Sequence, residues 1–139
     1  PQQPQKPKSA ARVQEGRPVA RLKESLPRQL HIDMGHPWIY DDEIKNISEL
    51  TGNPAGTIID VVGADDAQLG AGVLNRQASI VVRRLSDLPN GATVTQEILR
   101  QRLRAAFAAR THYGAGNFCR AVHGEHDGLP GIFVDRFGS

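Results

Sequence analysis

The sequence predicts a mixed α+β fold that is mainly β, because strand patterns outnumber helical patterns along the chain. Three short runs with β-branched residues, at 57–62, 68–74 and 79–85, follow one another with brief turns between them. One amphipathic helix is predicted after them, from a cap at Thr95 to about His112. Short strands at this spacing are typical of a small barrel or sandwich, here followed by a helix and a closing hairpin.

The N-terminal part of the chain is predicted to become ordered in steps. Residues 1–17 are rich in proline, glutamine and lysine with almost no large apolar side chain, so we expect a disordered leader. Alternating polarity predicts a short strand within residues 18–23, and Ser25 is the expected cap of a brief helix that ends near Leu30. A further strand is expected around residues 44–47.

The long predicted helix has one apolar face. Its apolar side chains recur at three- and four-residue spacing, at Ile98, Leu99, Leu103, Ala106 and Phe107. Arginines lie mostly on the opposite face, and the glycines at 114 and 116 end the helix. The apolar face needs a neighbour that covers it.

The last stretch, residues 119–139, predicts a β-hairpin. Its two apolar runs, 121–122 and 132–134, flank a polar segment with Asp-Gly at 127–128 and Pro-Gly at 130–131, which are strong turn signals. Because the second strand ends almost at the last residue, we expect a chain cut in the middle of a larger architecture.

Composition and charge suggest a polyanionic partner. Hydrophobic residues make up 39% of the 139 residues and aromatic residues only 5%, so the core should be mainly aliphatic. The formal charge of +2 is uneven, because only Glu15 and Glu24 offset the basic residues of the first thirty positions. Those basic residues are Lys6, Lys8, Arg12, Arg17, Arg21, Lys23 and Arg28. The alternative is a solvated, disordered tail.

Cysteine content and hydropathy indicate the compartment. Cys119 is the only cysteine, so no intrachain disulfide can form, which fits a reducing cytoplasm. No run approaches the roughly 20 apolar residues of a membrane helix, and no signal peptide is visible. We therefore expect a cytoplasmic protein that does not insert into membranes.

The chain predicts no catalytic, metal or cofactor site of its own. His123, Glu125, His126 and Asp127 suggest a metal site, but neighbouring hairpin residues alternate faces, so a polar turn is favoured over a zinc site. Cys119 has no nearby base pattern and is interpreted as a structural thiol. No glycine-rich strand-to-helix fingerprint for a dinucleotide or phosphate is present.

Six residues are candidates for RNA binding. An aromatic ring can stack on a base, a histidine can assist it, and nearby cations can contact phosphates. These candidates are Lys23, Arg28, His36, Trp38, Arg83 and Arg84. The alternative is that Trp38 is buried and His36 is a satisfied turn residue, in which case Trp38→Ala would harm folding more than RNA binding. Arg83 and Arg84 point to opposite faces of one strand, so one contacts phosphate or both are solvated.

Two sequence blocks carry a family resemblance. His-Pro-Trp-Ile-Tyr at 36–40 and the block at 123–138, which contains His-Gly-Glu-His-Asp-Gly-Leu-Pro-Gly, resemble the class I SAM-dependent RNA methyltransferases that modify cytosine C5 in large-subunit ribosomal RNA. The stretches at 70–75 and 80–85 are similar to the PUA barrel of that family. Residues 29–35 depart from the family by being longer and less basic.

The resemblance implies a domain order. Residues 18–86 would form the PUA-like RNA-binding barrel. Residues 87–139 would form a linker and part of a strand-strand-helix-strand-strand subdomain. A Rossmann-like methyltransferase domain with the SAM site and the catalytic cysteines would lie beyond this chain. Cys119 matches no catalytic cysteine of the family.

The resulting functional prediction is an RNA-binding and positioning portion of a SAM-dependent rRNA methyltransferase, with RNA as partner and SAM as the cofactor of the complete protein. One alternative is a stand-alone PUA-like RNA-binding module without catalysis. The other is a dimerisation scaffold, in which the helix and the hairpin form a homodimer contact.

Overall fold

A computed structural model describes residues 16–85 and 88–138. The described strands are β1 (Val19–Arg21), β2 (Trp38–Tyr40), β3 (Ile58–Val62), β4 (Gln68–Leu74), β5 (Ile80–Arg84), β6 (Phe118–His123) and β7 (Phe133–Phe137). The helices are α1 (Gln29–Asp33) and α2 (Gln96–His112), and the predicted fold class, mixed α+β and mainly β, is confirmed. The predicted leader lies outside the described residues except for Gly16 and Arg17.

The first five strands form one curled sheet in the order β1-β3-β4-β5-β2. β3, β4 and β5 form an antiparallel meander, β1 pairs parallel with β3, and β2 pairs antiparallel with β5. A single bridge between Leu22 and Ile44 joins the chain just after β1 to the chain just after β2. Because this bridge brings the two outer strands of the sheet together, the sheet closes toward a barrel.

The core inside this curled sheet is aliphatic, as the composition predicts. The largest side chains that are fully buried in this core, among the described residues, are Leu22, Ile32, Ile39, Ile44, Leu50, Ile59, Leu74, Val61, Val81 and Val82. Burying one such side chain stabilises a fold by about 1.5–3 kcal/mol. Ile39 is the residue of β2 that faces this core, while its neighbours in that strand are only half-buried.

Several predicted elements are confirmed. β4 occupies the predicted residues, and β3 and β5 lie within the predicted ranges. Thr95 caps α2, since its side chain accepts a hydrogen bond of 3.2 Å from the backbone N–H of Ile98. Neither helix in the described part of the chain is both long and apolar enough to cross a membrane.

The strand expected around residues 44–47 is wrong. The chain forms short 3₁₀ turns at Asp41–Glu43 and Ile47–Leu50, and between them Ile44 contributes one isolated bridge. Asn46 explains the difference, because its side-chain amide donates to the carbonyl of Val19 and accepts from the N–H of Arg21. A side chain therefore makes the contacts to β1 that a continuing backbone strand would make.

The predicted cap at Ser25 is also wrong. Ser25 has a positive φ of 54°, and α1 begins only at Gln29, after Arg28, whose side chain does not cap it. The helix is therefore one turn further along the chain than the sequence predicts.

The second structural unit is α2 packed on the β6–β7 hairpin. Its small core consists of Ala106, Val122 and Leu129, with Leu99, Leu103 and Val134 packed against it. The predicted hairpin is confirmed, but residues 124–132 connect its strands through a 3₁₀ turn at Gly124–Asp127 rather than through a tight turn. Gly124 and Gly128 both have positive φ, which a glycine adopts without strain.

The segment between the two units is fixed to the first sheet. Leu88 accepts a backbone hydrogen bond from Ala71. The buried side chain of Asn90 accepts from the N–H of Gly70 and donates to the carbonyl of Val61. Gly70 has a φ of 98°, and a Cβ there would lie 2.7 Å from the carbonyl oxygen of Leu88. This close approach requires glycine at position 70.

Candidate nucleic-acid interface

All six candidate residues lie around β2, which is an outer strand of the five-stranded sheet. Arg28 precedes α1 and contacts His36, which leads into β2. Trp38 is the direct cross-strand partner of Arg83, so these two side chains lie on the same face of the sheet. Lys23 follows β1, and its backbone N–H donates to the carbonyl of Glu43 just past β2. The structure thus places near β2 residues that are as many as 61 positions apart in the sequence, Lys23 and Arg84.

Glu43 is the centre of this region, although the sequence analysis did not single it out. Its residue is 5% exposed, and its carboxylate accepts from the guanidinium of Arg28 at 3.0 and 3.1 Å. The same carboxylate accepts from the backbone N–H of Tyr40 at 2.8 Å, and the guanidinium lies 4.7 Å from the centre of the Tyr40 ring. The available signal was a run of three acidic residues directly after an apolar strand. That run does not reveal which carboxylate turns inward.

His36 is held as a neutral ring with a defined tautomer. Its Nδ1 lies 3.2 Å from Nη2 of Arg28 and 3.3 Å from the backbone N–H of Trp38, and both of these groups are donors. Burial and the charges of Arg28 and His31 lower the pKa of His36, and they outweigh Glu43 and the backbone of Trp38, which raise it. Nδ1 is therefore an acceptor, and the single ring proton is assigned to Nε2.

Trp38 combines features of both predicted alternatives. The residue is half-buried, and its ring meets the His36 ring edge-on with 5.5 Å between the ring centres. Its indole Nε1 is buried and has no hydrogen-bond partner within the described residues. Because Ile39 rather than Trp38 points into the core, the ring of Trp38 belongs to the outer face of the sheet.

The two arginines of β5 contact different parts of the protein. Arg84 donates to backbone carbonyl oxygens at 2.7 to 3.3 Å, those of Leu69, Ile32 and His36. Burial lowers the pKa of Arg84. Arg83 donates from Nε to the carboxylate of Glu125 at 2.8 Å, which joins the first sheet to the hairpin loop. Both guanidinium groups therefore hold parts of the protein in place.

Lys23 differs from these arginines. It is exposed, and its ammonium has no ion-pair partner in the part of the chain that the structure describes. A flexible, unpaired ammonium is suited to a phosphate contact. The role of each of the six residues in RNA binding stays a prediction.

The polar loop of the hairpin is hydrogen-bonded to α2 and to the end of β6 through Asp127. Asp127 accepts two hydrogen bonds of 2.7 Å from Arg110 of α2 and one of 2.6 Å from the backbone N–H of His123. Burial raises the pKa of Asp127, but these hydrogen bonds outweigh burial and lower the pKa overall. Within residues 16–85 and 88–138, no three His, Cys, Asp or Glu side chains are grouped to hold a metal ion.

Comparison with known proteins agrees with this architecture. Residues 28–87 match the family model of the PUA-like domain. The chain is 31% identical over 124 residues to ribosomal RNA large subunit methyltransferase I of Shewanella frigidimarina. It is 30% identical over 128 residues to a ribosomal RNA large subunit methyltransferase of Deinococcus radiodurans. Each alignment covers 86% of this chain and 30% of the relative, so the chain spans about 30% of the length of these curated relatives.

Solved structures show the same fold. A Streptococcus mutans protein described as a SAM-dependent methyltransferase superposes with a TM-score of 0.65 over 87% of this chain and 31% of its own. A methyltransferase solved in complex with SAH also gives a TM-score of 0.65, over 87% of this chain and 30% of its own. At 12% identity these two similarities are similarities of fold.

The state of His36 leads to a pH prediction. The pKa of His36 in the folded chain lies below 6.5, so the unfolded chain takes up this proton first as the pH falls. This contribution to stability is complete above pH 6.5 and is lost as the pH falls through the folded-state pKa. His36→Asn places an amide oxygen near the position of Nδ1 and does not titrate. We therefore expect the melting temperature to fall more steeply between pH 7 and about pH 5 for the wild type than for the variant. Equal slopes would contradict the assignment.

Proposed function

We propose that this chain is the RNA-binding and positioning portion of a SAM-dependent methyltransferase that modifies cytosine C5 of large-subunit ribosomal RNA. The observation that carries the proposal is the position of His36 and Trp38 outside the core at the outer strand β2, with the exposed Lys23 bonded through its backbone N–H to Glu43 just past that strand. The PUA-like match and the similarity to rRNA methyltransferases support RNA as the ligand. The greater length of those relatives favours a larger enzyme over a stand-alone binding module.

In this proposal some of the candidate residues contact RNA and the others hold them in position. In this proposal Lys23 contacts a phosphate, the ring of Trp38 stacks on a base, and His36 lies beside that base. Arg28, Arg83 and Arg84 position these groups, because their guanidinium donors already bind carboxylates, a ring nitrogen and carbonyl oxygens of the protein.

The domain boundaries follow the sequence interpretation. Residues 1–17 are proposed as a leader, 18–86 as the RNA-binding barrel, and 87–139 as a linker with part of a second subdomain. The Arg83–Glu125 ion pair and the side chain of Asn90 support a fixed geometry between barrel and subdomain. Such a geometry would present bound RNA to a catalytic domain at a set distance and angle.

SAM chemistry is proposed for the complete protein and not for this chain. SAM would supply the methyl group, and the chain's own residues do not fit a SAM site, because no strand leads through a glycine-rich turn into a helix within the described residues. We assign no catalytic residue here. A cytoplasmic location is part of the same proposal, since ribosomal RNA is the substrate.

RNA binding by the purified chain tests the proposal. Fluorescence anisotropy with a labelled large-subunit rRNA transcript should show affinity that falls as salt rises. Lys23→Ala should reduce the slope of log K against log salt by about 1, because one phosphate contact is lost. Trp38→Ala should weaken binding by about fivefold or more through lost base stacking. Salt-independent binding would contradict the phosphate contacts.

Tyr113→Ala is the matched aromatic control, because this ring is 84% exposed at the far end of α2. Its affinity for RNA should equal that of the wild type. If Trp38→Ala lowers thermal stability and leaves the affinity unchanged, Trp38 has only a packing role.

A dimerisation role is favoured by one specific observation. Phe118 and Phe137 face each other across β6 and β7 and are 78% and 82% exposed, with Phe133 on the same face. Exposed apolar patches often mark protein contacts. If this face forms a homodimer, sedimentation equilibrium should show a dimer that Phe137→Ser dissociates. A wild-type chain that stays monomeric at high concentration would exclude this role.

A further inference from the structure

We propose that His36 is a fixed hydrogen-bond donor that recognises an acceptor on the bound RNA through Nε2–H. The acceptor is a base carbonyl oxygen, a base ring nitrogen or a phosphate oxygen. This inference rests on the proposed RNA-binding function and names the part that one residue of the interface takes in recognition.

The geometry around the ring determines which nitrogen carries the proton. Two N–H donors, from Arg28 and from the backbone of Trp38, lie within 3.3 Å of Nδ1. A proton on Nδ1 would face both of these donors, so Nδ1 must offer its lone pair to them. A neutral imidazole whose Nδ1 is unprotonated carries its proton on Nε2.

Glu43 prevents the arrangement from relaxing. Its carboxylate holds the Nη1 side of the Arg28 guanidinium through both oxygens, which keeps Nη2 directed at the ring. The charged and titratable groups near the ring are Arg28, His31 and Glu43. Burial, Arg28 and His31 lower the pKa of His36, whereas Glu43 and the backbone of Trp38 raise it, and the pKa is lowered overall, which favours the neutral ring.

Nε2 of His36 has no hydrogen-bond partner among residues 16–85 and 88–138, since both contacts of the ring are made by Nδ1. The indole N–H of Trp38 also lacks an acceptor among the described residues, but it is buried and therefore does not face a ligand. The half-buried His36 has a ring N–H that can meet a ligand which presents acceptors, and RNA presents them on its base edges and its phosphates. Because the ring is uncharged, its contact adds direction to binding and little salt dependence.

Two variants separate the two nitrogens. His36→Gln can place an amide N–H near the position of Nε2 but loses the acceptor at Nδ1. His36→Asn places an amide oxygen near the position of Nδ1 but loses the donor at Nε2. We expect His36→Asn to bind a short labelled uridine oligonucleotide about three- to tenfold more weakly while melting close to the wild type. We expect His36→Gln to melt at a lower temperature and to bind within about twofold of the wild type when folded.

An abasic oligonucleotide with the same backbone distinguishes the two sources of acceptor. If His36→Asn also binds the abasic strand more weakly than the wild type does, the acceptor is a phosphate oxygen. If the two proteins bind the abasic strand equally well, the acceptor belongs to a base. Both results support the donor role.

Other results overturn the proposal. If His36→Asn binds RNA as tightly as the wild type, His36 donates to nothing on the RNA, although RNA binding itself stands. If the wild type binds no RNA, the proposed function fails as well. A nitrogen-15 NMR spectrum of the wild type gives an independent check, in which Nδ1 must be the unprotonated nitrogen and the Nε2 resonance must shift when RNA is added. A proton on Nδ1 excludes the proposal whatever the variants do.

Discussion

The carboxylate of Glu43 is the contact on which the candidate interface depends. It is buried and accepts hydrogen bonds from the guanidinium of Arg28 and the backbone N–H of Tyr40. The backbone carbonyl of Glu43 accepts a hydrogen bond from the backbone N–H of Lys23. Three chain segments, after β1, before α1 and after β2, therefore meet at one residue. Removing one partner of a buried ion pair typically costs about 3–5 kcal/mol, because the remaining charge is left uncompensated. The orientation of His36 follows from this pair, since Arg28 is shared between Glu43 and the ring.

The same side of the molecule also connects the two structural units. Trp38 pairs across the sheet with Arg83, and Arg83 binds Glu125 in the hairpin loop. Two residues further along that loop, Asp127 binds Arg110 of α2. The polar loop that resembles a metal site in sequence is therefore a structural connection between barrel, helix and hairpin. Any RNA held at β2 would lie at a defined position relative to the second unit.

Local sequence patterns were sufficient to predict those strands and helix caps that depend only on residues close together in the sequence. β4 and the cap at Thr95 were predicted at the correct residues because alternation and capping are local signals. The strand expected at 44–47 failed because the side chain of Asn46 replaces backbone pairing. The roles of Glu43 and Glu125 depend on partners 15 and 42 positions away, so no local pattern could reveal them. The candidate RNA residues were found by type, and their grouping required the fold.

The affinity of a Glu43→Gln chain for the rRNA transcript tests the central claim most directly, because two explanations predict opposite signs. Removing a negative charge beside a polyanion site strengthens binding if only net charge matters. Glutamine keeps an acceptor for the N–H of Tyr40 but releases Arg28, so our account predicts binding at least about threefold weaker in a chain that circular dichroism shows to be folded. Glu24→Gln, the same change at an exposed residue beside Lys23, should bind as tightly as the wild type or more tightly. Tighter binding by folded Glu43→Gln would contradict the account.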